Sequence, residues 1–99
     1  MTASDREDWP FDQPRDCAVI TLKCIMNGLA PILHVTHDSD DHGWQFLGLE
    51  TPEMSDAAVM GLEEIVRMDP TVLEVADLLP GWHAWRADLG QPWIREPEP

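Results

Sequence analysis

Apolar and polar positions alternate most clearly between Pro31 and Leu49 (PILHVTHDSDDHGWQFLGL). Ile32, Leu33 and Val35 lead into a polar run, Asp38-Ser39-Asp40-Asp41-His42-Gly43, and Trp44, Phe46 and Leu47 lead out of it. Short polar side chains and a glycine suit a backbone reversal, so the pattern predicts a β-hairpin with strands over 31–37 and 43–49 and an acidic tip. Residues 16–26 (DCAVITLKCIM) are rich in β-branched and apolar residues and predict a first strand. Alternation puts Ala18, Ile20, Leu22 and Cys24 on one face, and Val19, Thr21, Lys23 and Ile25 on a more polar one. Asn27-Gly28 is a strong tight-turn signal, and predicts that the three strands form an antiparallel meander.

The texture changes after Glu50. Thr51, backed by Pro52, or Ser55 suits a helix cap, and Val59, Leu62, Ile65 and Val66 recur at helical spacing, predicting a helix over 56–68. Gly61 would weaken it by about 1 kcal/mol relative to alanine. Asp69-Pro70 ends that helix and starts a second over 70–78, with aspartate as cap and proline at the first helical position. The segment 81–88 (GWHAWRAD) predicts a final strand, with Trp82, Ala84 and Arg86 on one face and His83, Trp85 and Ala87 on the other. The expected fold is α+β: an antiparallel sheet of about four strands (three-stranded meander, two helices, final strand) with helices on one face and the other face partly open. Residues 1–15 form an acidic, proline-containing arm whose Trp9 and Phe11 should be pinned to the domain. Residues 16–95 form a single domain, and 96–99 a solvated tail.

Charge modifies this picture more than any other property. In 99 residues there are 19 Asp+Glu against 6 Lys+Arg, a formal net charge of −13. That field repels phosphate backbones and anionic membranes and attracts a basic protein partner. Ninety-nine residues bury roughly two-thirds of their unfolded surface, enough for one core. Cys17 and Cys24 are an odd number of residues apart, so on one strand they face opposite sides and do not pair. Two unpaired thiols, with no apolar run near the start, predict a cytoplasmic protein. No apolar segment approaches the ~20 residues that span a bilayer.

Candidate chemistry concentrates in the hairpin. His34, His37 and His42, with the neighbouring aspartates, are the candidate metal ligands, although His34 and His37 should face opposite sides of a strand. Zinc needs three or four converging ligands, and no cysteine pair has finger spacing. Asp38-x-Asp40-x-His42-Gly43 has the opening of a calcium loop but lacks its closing ligand, because the twelfth position is Leu49. Both cysteines lie in an apolar run, where a thiol is inert, and there is neither a nucleophile elbow nor a phosphate-cradling loop. No catalytic residue or cofactor is therefore expected. Asp38, Asp40 and Asp41, with Trp44 and Trp85 as aromatic anchors, are the expected partner-binding residues. The alternatives are a metal-binding domain or metal-dependent enzyme centred on the His34–Asp41 hairpin, and a homodimer joined across the open face.

CAVIT, PILHV, the aspartate-rich turn running into GWQFL, the Asp-Pro after the helix and ADLLPGWHAWRA together form a pattern covering roughly residues 16–88. It resembles small bacterial domains of unknown function similar to the immunity-protein-33-like family of polymorphic toxin systems. The resemblance implies an α+β domain that binds and blocks a cognate toxin, without catalytic residues. The chain departs from that pattern in its acidic arm and tail.

Overall fold

The predicted hairpin lies at the centre of the sheet. A computed structural model, which describes residues 9–50 and 54–98, contains β1 (Ala18–Leu22), α1 (Lys23–Met26), β2 (His34–His37) and β3 (Trp44–Leu47). A 3₁₀ turn (Met54–Asp56), β4 (Ala57–Gly61), α2 (Leu62–Met68) and a 3₁₀ helix (Pro70–Val75) follow, then β5 (Trp82–Trp85) and β6 (Ile94–Pro97). The strands form one six-stranded sheet in the order β4-β1-β3-β2-β5-β6. The class is α+β as expected, but the sheet is larger and mixed: β1 and β3 run parallel, whereas the other neighbours are antiparallel.

The departures have local causes. Asn27-Gly28 does not turn β1 into β2. The chain leaves β1 as one helical turn, α1, and Gly28 (φ +76°) ends it, with Gly28 N–H bonded to Ile25 O and Leu29 N–H to Cys24 O. β2 therefore starts away from β1, and β3 returns between them, which replaces the expected meander. The first half of the predicted 56–68 helix is β4, which pairs with β1 from Ala57↔Leu22 to Gly61↔Ala18. Ladder pairing overrides the helix propensity of Ala57, Ala58 and Met60. Gly61 is then the N-cap of α2, its N–H held by Glu64 Oε1 at 2.9 Å. The expected tail at 96–99 is also corrected: Glu96 and Pro97 lie in β6, which pairs with β5, and Pro99 is outside the described residues.

One face of the sheet is covered. Val19, Val35, Trp44, Phe46 and Ala84 point into a core completed by Ile25, Ile32, Leu62, Ile65, Val72, Val75 and Leu78. On β1 this is the face expected to be the more polar, because Thr21 is buried with its hydroxyl donating to Phe46 O at 2.7 Å. Phe11 is buried in the same core, edge-on to Trp44 at 5.1 Å, and Trp9 packs partly buried against it, so the two rings dock the arm while its Pro10, Asp12, Pro14 and Asp16 stay exposed. Residues 1–8 of the arm lie outside the described residues.

Arg86 ties the sheet to the helical layer. It is buried, donates from Nε and Nη2 to Ile32 O, from Nη1 to Thr71 Oγ1 and from Nη2 to Asp69 Oδ2 (2.7 Å), and lies 4.1 Å from the centre of the Trp93 ring. Asp69 is also the predicted cap, accepting from Thr71 N–H with Pro70 at the first helical position.

Candidate functional site

The acidic tip is formed by turn chemistry. Asp38 N–H donates to Gly43 O (2.8 Å) and closes the loop between β2 and β3. Inside it, Asp38 Oδ1 accepts from Asp40 N–H (2.7 Å) and Asp41 Oδ1 from Gly43 N–H (2.8 Å). His42 takes a left-handed conformation (φ +59°), and a Cβ at Gly43 would stand 2.9 Å from Asp41 Oδ1, so a side chain there would displace the Asp41 carboxylate from its turn. Asp40 and Asp41 remain exposed. Two of the three aspartates thus commit one oxygen to the turn, and the loop still presents their charge to solvent.

The other candidate surface is the face of the sheet opposite the helices. The registers place Val59, Ile20, Gln45, Thr36, His83 and Glu96 in one cross-strand row from β4 to β6. Leu47, His34, Trp85 and Ile94 form a second row. The β4 side is apolar and exposed, Val59 at 63% and Ile20 at 39%. The β6 side is polar: His34 Nε2 lies 2.9 Å from His83 Nδ1, while Glu96 Oε1 lies 3.5 Å from His83 Nε2 and accepts from Trp85 Nε1 at 3.3 Å. One imidazole must donate and the other accept, so two charged rings cannot share this contact. Partial burial, and then the like charge of His83, hold His34 below the usual histidine value, with Glu98 opposing them. His34 is therefore neutral at neutral pH, and the Glu96 carboxylate stands beside the half-buried Trp85 indole.

The expected site residues do not come together. Asp38, Asp40 and Asp41 occupy the tip at the His37 end of β2, whereas Trp85 pairs with His34 at its other end. Trp44 is corrected outright: it is 2% exposed, stacked on His37 at 4.0 Å, with Nε1 bonded to Gln13 Oε1, and cannot touch a partner. The histidines separate as well. His34 lies on the uncovered face, and His42 at the tip. His37 is buried, with Nδ1 2.6 Å from Leu78 O, so that this nitrogen carries the hydrogen and Nε2 is left without a partner. Among the described residues no group of three or more His, Cys, Asp or Glu is placed to hold a metal ion. The cysteines are free thiols, and Cys24 is exposed on α1 rather than buried in a strand. The residues not singled out from sequence are His83, Glu96, Ile20 and Val59. The face assignment of His83 with Trp85 is the available signal in the sequence, and it is incomplete because the partner strand, β6, has no strand pattern of its own.

Two shallow concavities flank residues 28–33. One is lined by Met68, Leu89 and Asp69, whose carboxylate already serves Arg86 and Thr71, and the other by Leu22, Leu33, Cys24 and Asp56. Among the described residues no helix is long and apolar enough to cross a membrane. No protein-family model matches the chain, and neither a search of curated proteins nor one of solved structures found a match.

Proposed function

We propose that this protein is a non-catalytic binding domain for a basic protein partner, an inhibitor of the kind implied by the resemblance to immunity-protein-33-like domains. The observation that carries the reading is the uncovered sheet face, where Val59, Ile20 and Ile94 are exposed and Trp85 is half-buried in a chain of net charge −13. Exposed apolar groups with an aromatic among them have the character of an interface core, and the surrounding charge selects a partner of opposite sign. Arg15, Arg67, Arg86 and Arg95 are each engaged by carboxylates of the same chain, so these cations do little to shield the remaining acids. Asp38, Asp40 and Asp41 supply steering, and Trp85 supplies the anchor.

The test uses the tagged protein as bait in lysate of the source cell, loaded at low salt and eluted in salt steps. One basic protein recovered near stoichiometry and released by salt is the expected result; absence of any reproducible basic protein overturns the reading. With that protein in hand, Asp38→Asn combined with Asp41→Asn should slow association and flatten its salt dependence, while leaving stability nearly unchanged. Asparagine retains the Oδ1 acceptor that each turn uses and removes only the charge.

A further inference from the structure

The two edges of the sheet are built differently. β6 (IREP) carries Arg95, Glu96 and Pro97, the charges and proline that block further strand pairing. β4 (AAVMG) carries neither a charge nor a proline, although a quarter of the chain is charged and nine residues are proline. Its outward hydrogen-bonding groups can be assigned. Leu62 N–H donates to Cys17 O at 2.8 Å, which makes Cys17–Leu62 a hydrogen-bonded pair of the antiparallel ladder. By alternation Val19–Met60 and Thr21–Ala58 are bonded pairs too, so Ala57, Val59 and Gly61 direct their backbone groups away from β1. Glu64 takes the Gly61 N–H. The 3₁₀ turn Met54–Asp56 closes on the Ala57 N–H, so the outward groups of the edge are the N–H and C=O of Val59 and the C=O of Ala57, and among the described residues no strand lies beyond them. The Val59 side chain stands beside Ile20 on the uncovered face.

We infer that the β4 edge is a strand-addition site, and that its occupant is an extended, basic segment of a protein partner whose backbone pairs with Val59 and with the Ala57 carbonyl. The inference rests on the binding reading above and specifies its mode: main-chain hydrogen bonds give affinity, and alternate side chains of the incoming strand cover Val59 and Ile20. Charge decides between occupants. A second copy would bring −13 against −13, and antiparallel self-pairing about Val59 would set Asp56 of each copy near the Glu63 end of the other. A segment bearing lysine or arginine reverses both terms, meeting Asp56 at one end of the edge and Glu64 at the other.

The experiment titrates the isotope-labelled full chain with a short synthetic peptide alternating lysine and valine, and with its glutamate–valine counterpart, followed by amide NMR and hydrogen exchange. The lysine peptide should shift the Ala57 and Val59 amides and slow exchange at Val59, and the glutamate peptide should not. Val59→Lys should weaken binding on the order of tenfold or more, whereas Val59→Thr, neutral and β-branched, should bind nearly as the parent. Both changes fall on an exposed side chain, and a thermal melt checks that each variant folds. A lysine peptide that binds but perturbs only the 38–43 loop or β6 overturns the edge inference and leaves the acidic binding domain standing. No perturbation at Ala57 and Val59 by either peptide overturns it as well. A dimer in light scattering that Val59→Lys dissociates would give the edge to a second copy and also overturn it. Failure of the lysate capture is the separate outcome that removes the underlying reading.

Discussion

Residues of β2 alternate between two environments. His37, on the covered face, is 3% exposed, stacked on Trp44 and bonded through Nδ1 to Leu78 O. His34, three residues earlier on the other face, is half-buried and shares a hydrogen with His83 within reach of Glu96. The same residue type on the same strand is a fixed part of the core in one case and a titratable surface group in the other. The same division separates the tryptophans, with Trp44 in the core and Trp85 on the uncovered face. Side-chain type alone therefore assigns no role here; strand parity assigns it.

Truncating the two tryptophans should separate the faces most strongly. Trp44 is in contact with His37, Phe46 and Phe11, and its Nε1 holds Gln13, which in turn donates to His42 O. Trp44→Ala should cost about 3–5 kcal/mol in denaturant unfolding, through the cavity and the loosened arm. Trp85→Ala removes a half-buried ring with one exposed hydrogen bond to Glu96, and should cost no more than about 1–2 kcal/mol. Equal losses would break the division between faces.

Arg86 provides the next largest effect, again on the covered face. Arg86→Met preserves much of the side-chain volume but leaves Asp69 Oδ2 without its cation and Ile32 O without its donors. Removing one partner of a buried pair costs about 3–5 kcal/mol, and the expected loss lies near the lower limit because Asp69 keeps some contact with water. Asp69→Asn should cost less, since the cap acceptor Oδ1 survives. Urea unfolding of the two variants checks the order.

These contrasts also show what the sequence made legible. The β2–β3 hairpin was readable because its alternation is interrupted only by residues suited to a turn. The faces of β5 were readable because Trp82, Ala84 and Arg86 form one parity and His83 and Trp85 the other. Asp69-Pro70 carried its own capping chemistry. β4 was not legible: Val59 lies in helical phase with Leu62 and Ile65, and only pairing with β1, nearly forty residues away in sequence, makes 57–61 a strand. Apolar count does not identify the buried face of β1, because Thr21 counts as polar, whereas its hydroxyl is satisfied inside the sheet. β6 has no periodicity to read, since all four of its side chains are exposed. Without β6 the His83–Glu96 contact could not be anticipated.

The smallest expected effect is a pH dependence that belongs to the uncovered face. Burial and then the neighbouring His83 hold His34 below the ordinary 6.5, with Glu98 acting in the opposite direction. The unfolded chain therefore takes up the proton first as pH falls. Neutral His34 contributes its full share of stability above about 6.5, and that share is lost progressively from 6.5 down through the lower value of the folded protein. Carboxylates also titrate toward acid, so the readout is a difference: thermal melts of the parent and of His34→Gln between pH 8 and pH 5. The parent should lose stability relative to the variant below 6.5 and run parallel to it above. A parent that gains on the variant as pH falls would mean that the Glu98 carboxylate, not burial and His83, governs this histidine. The uncovered face would then carry positive charge under mild acid, and a basic partner would be expected to bind it less tightly there.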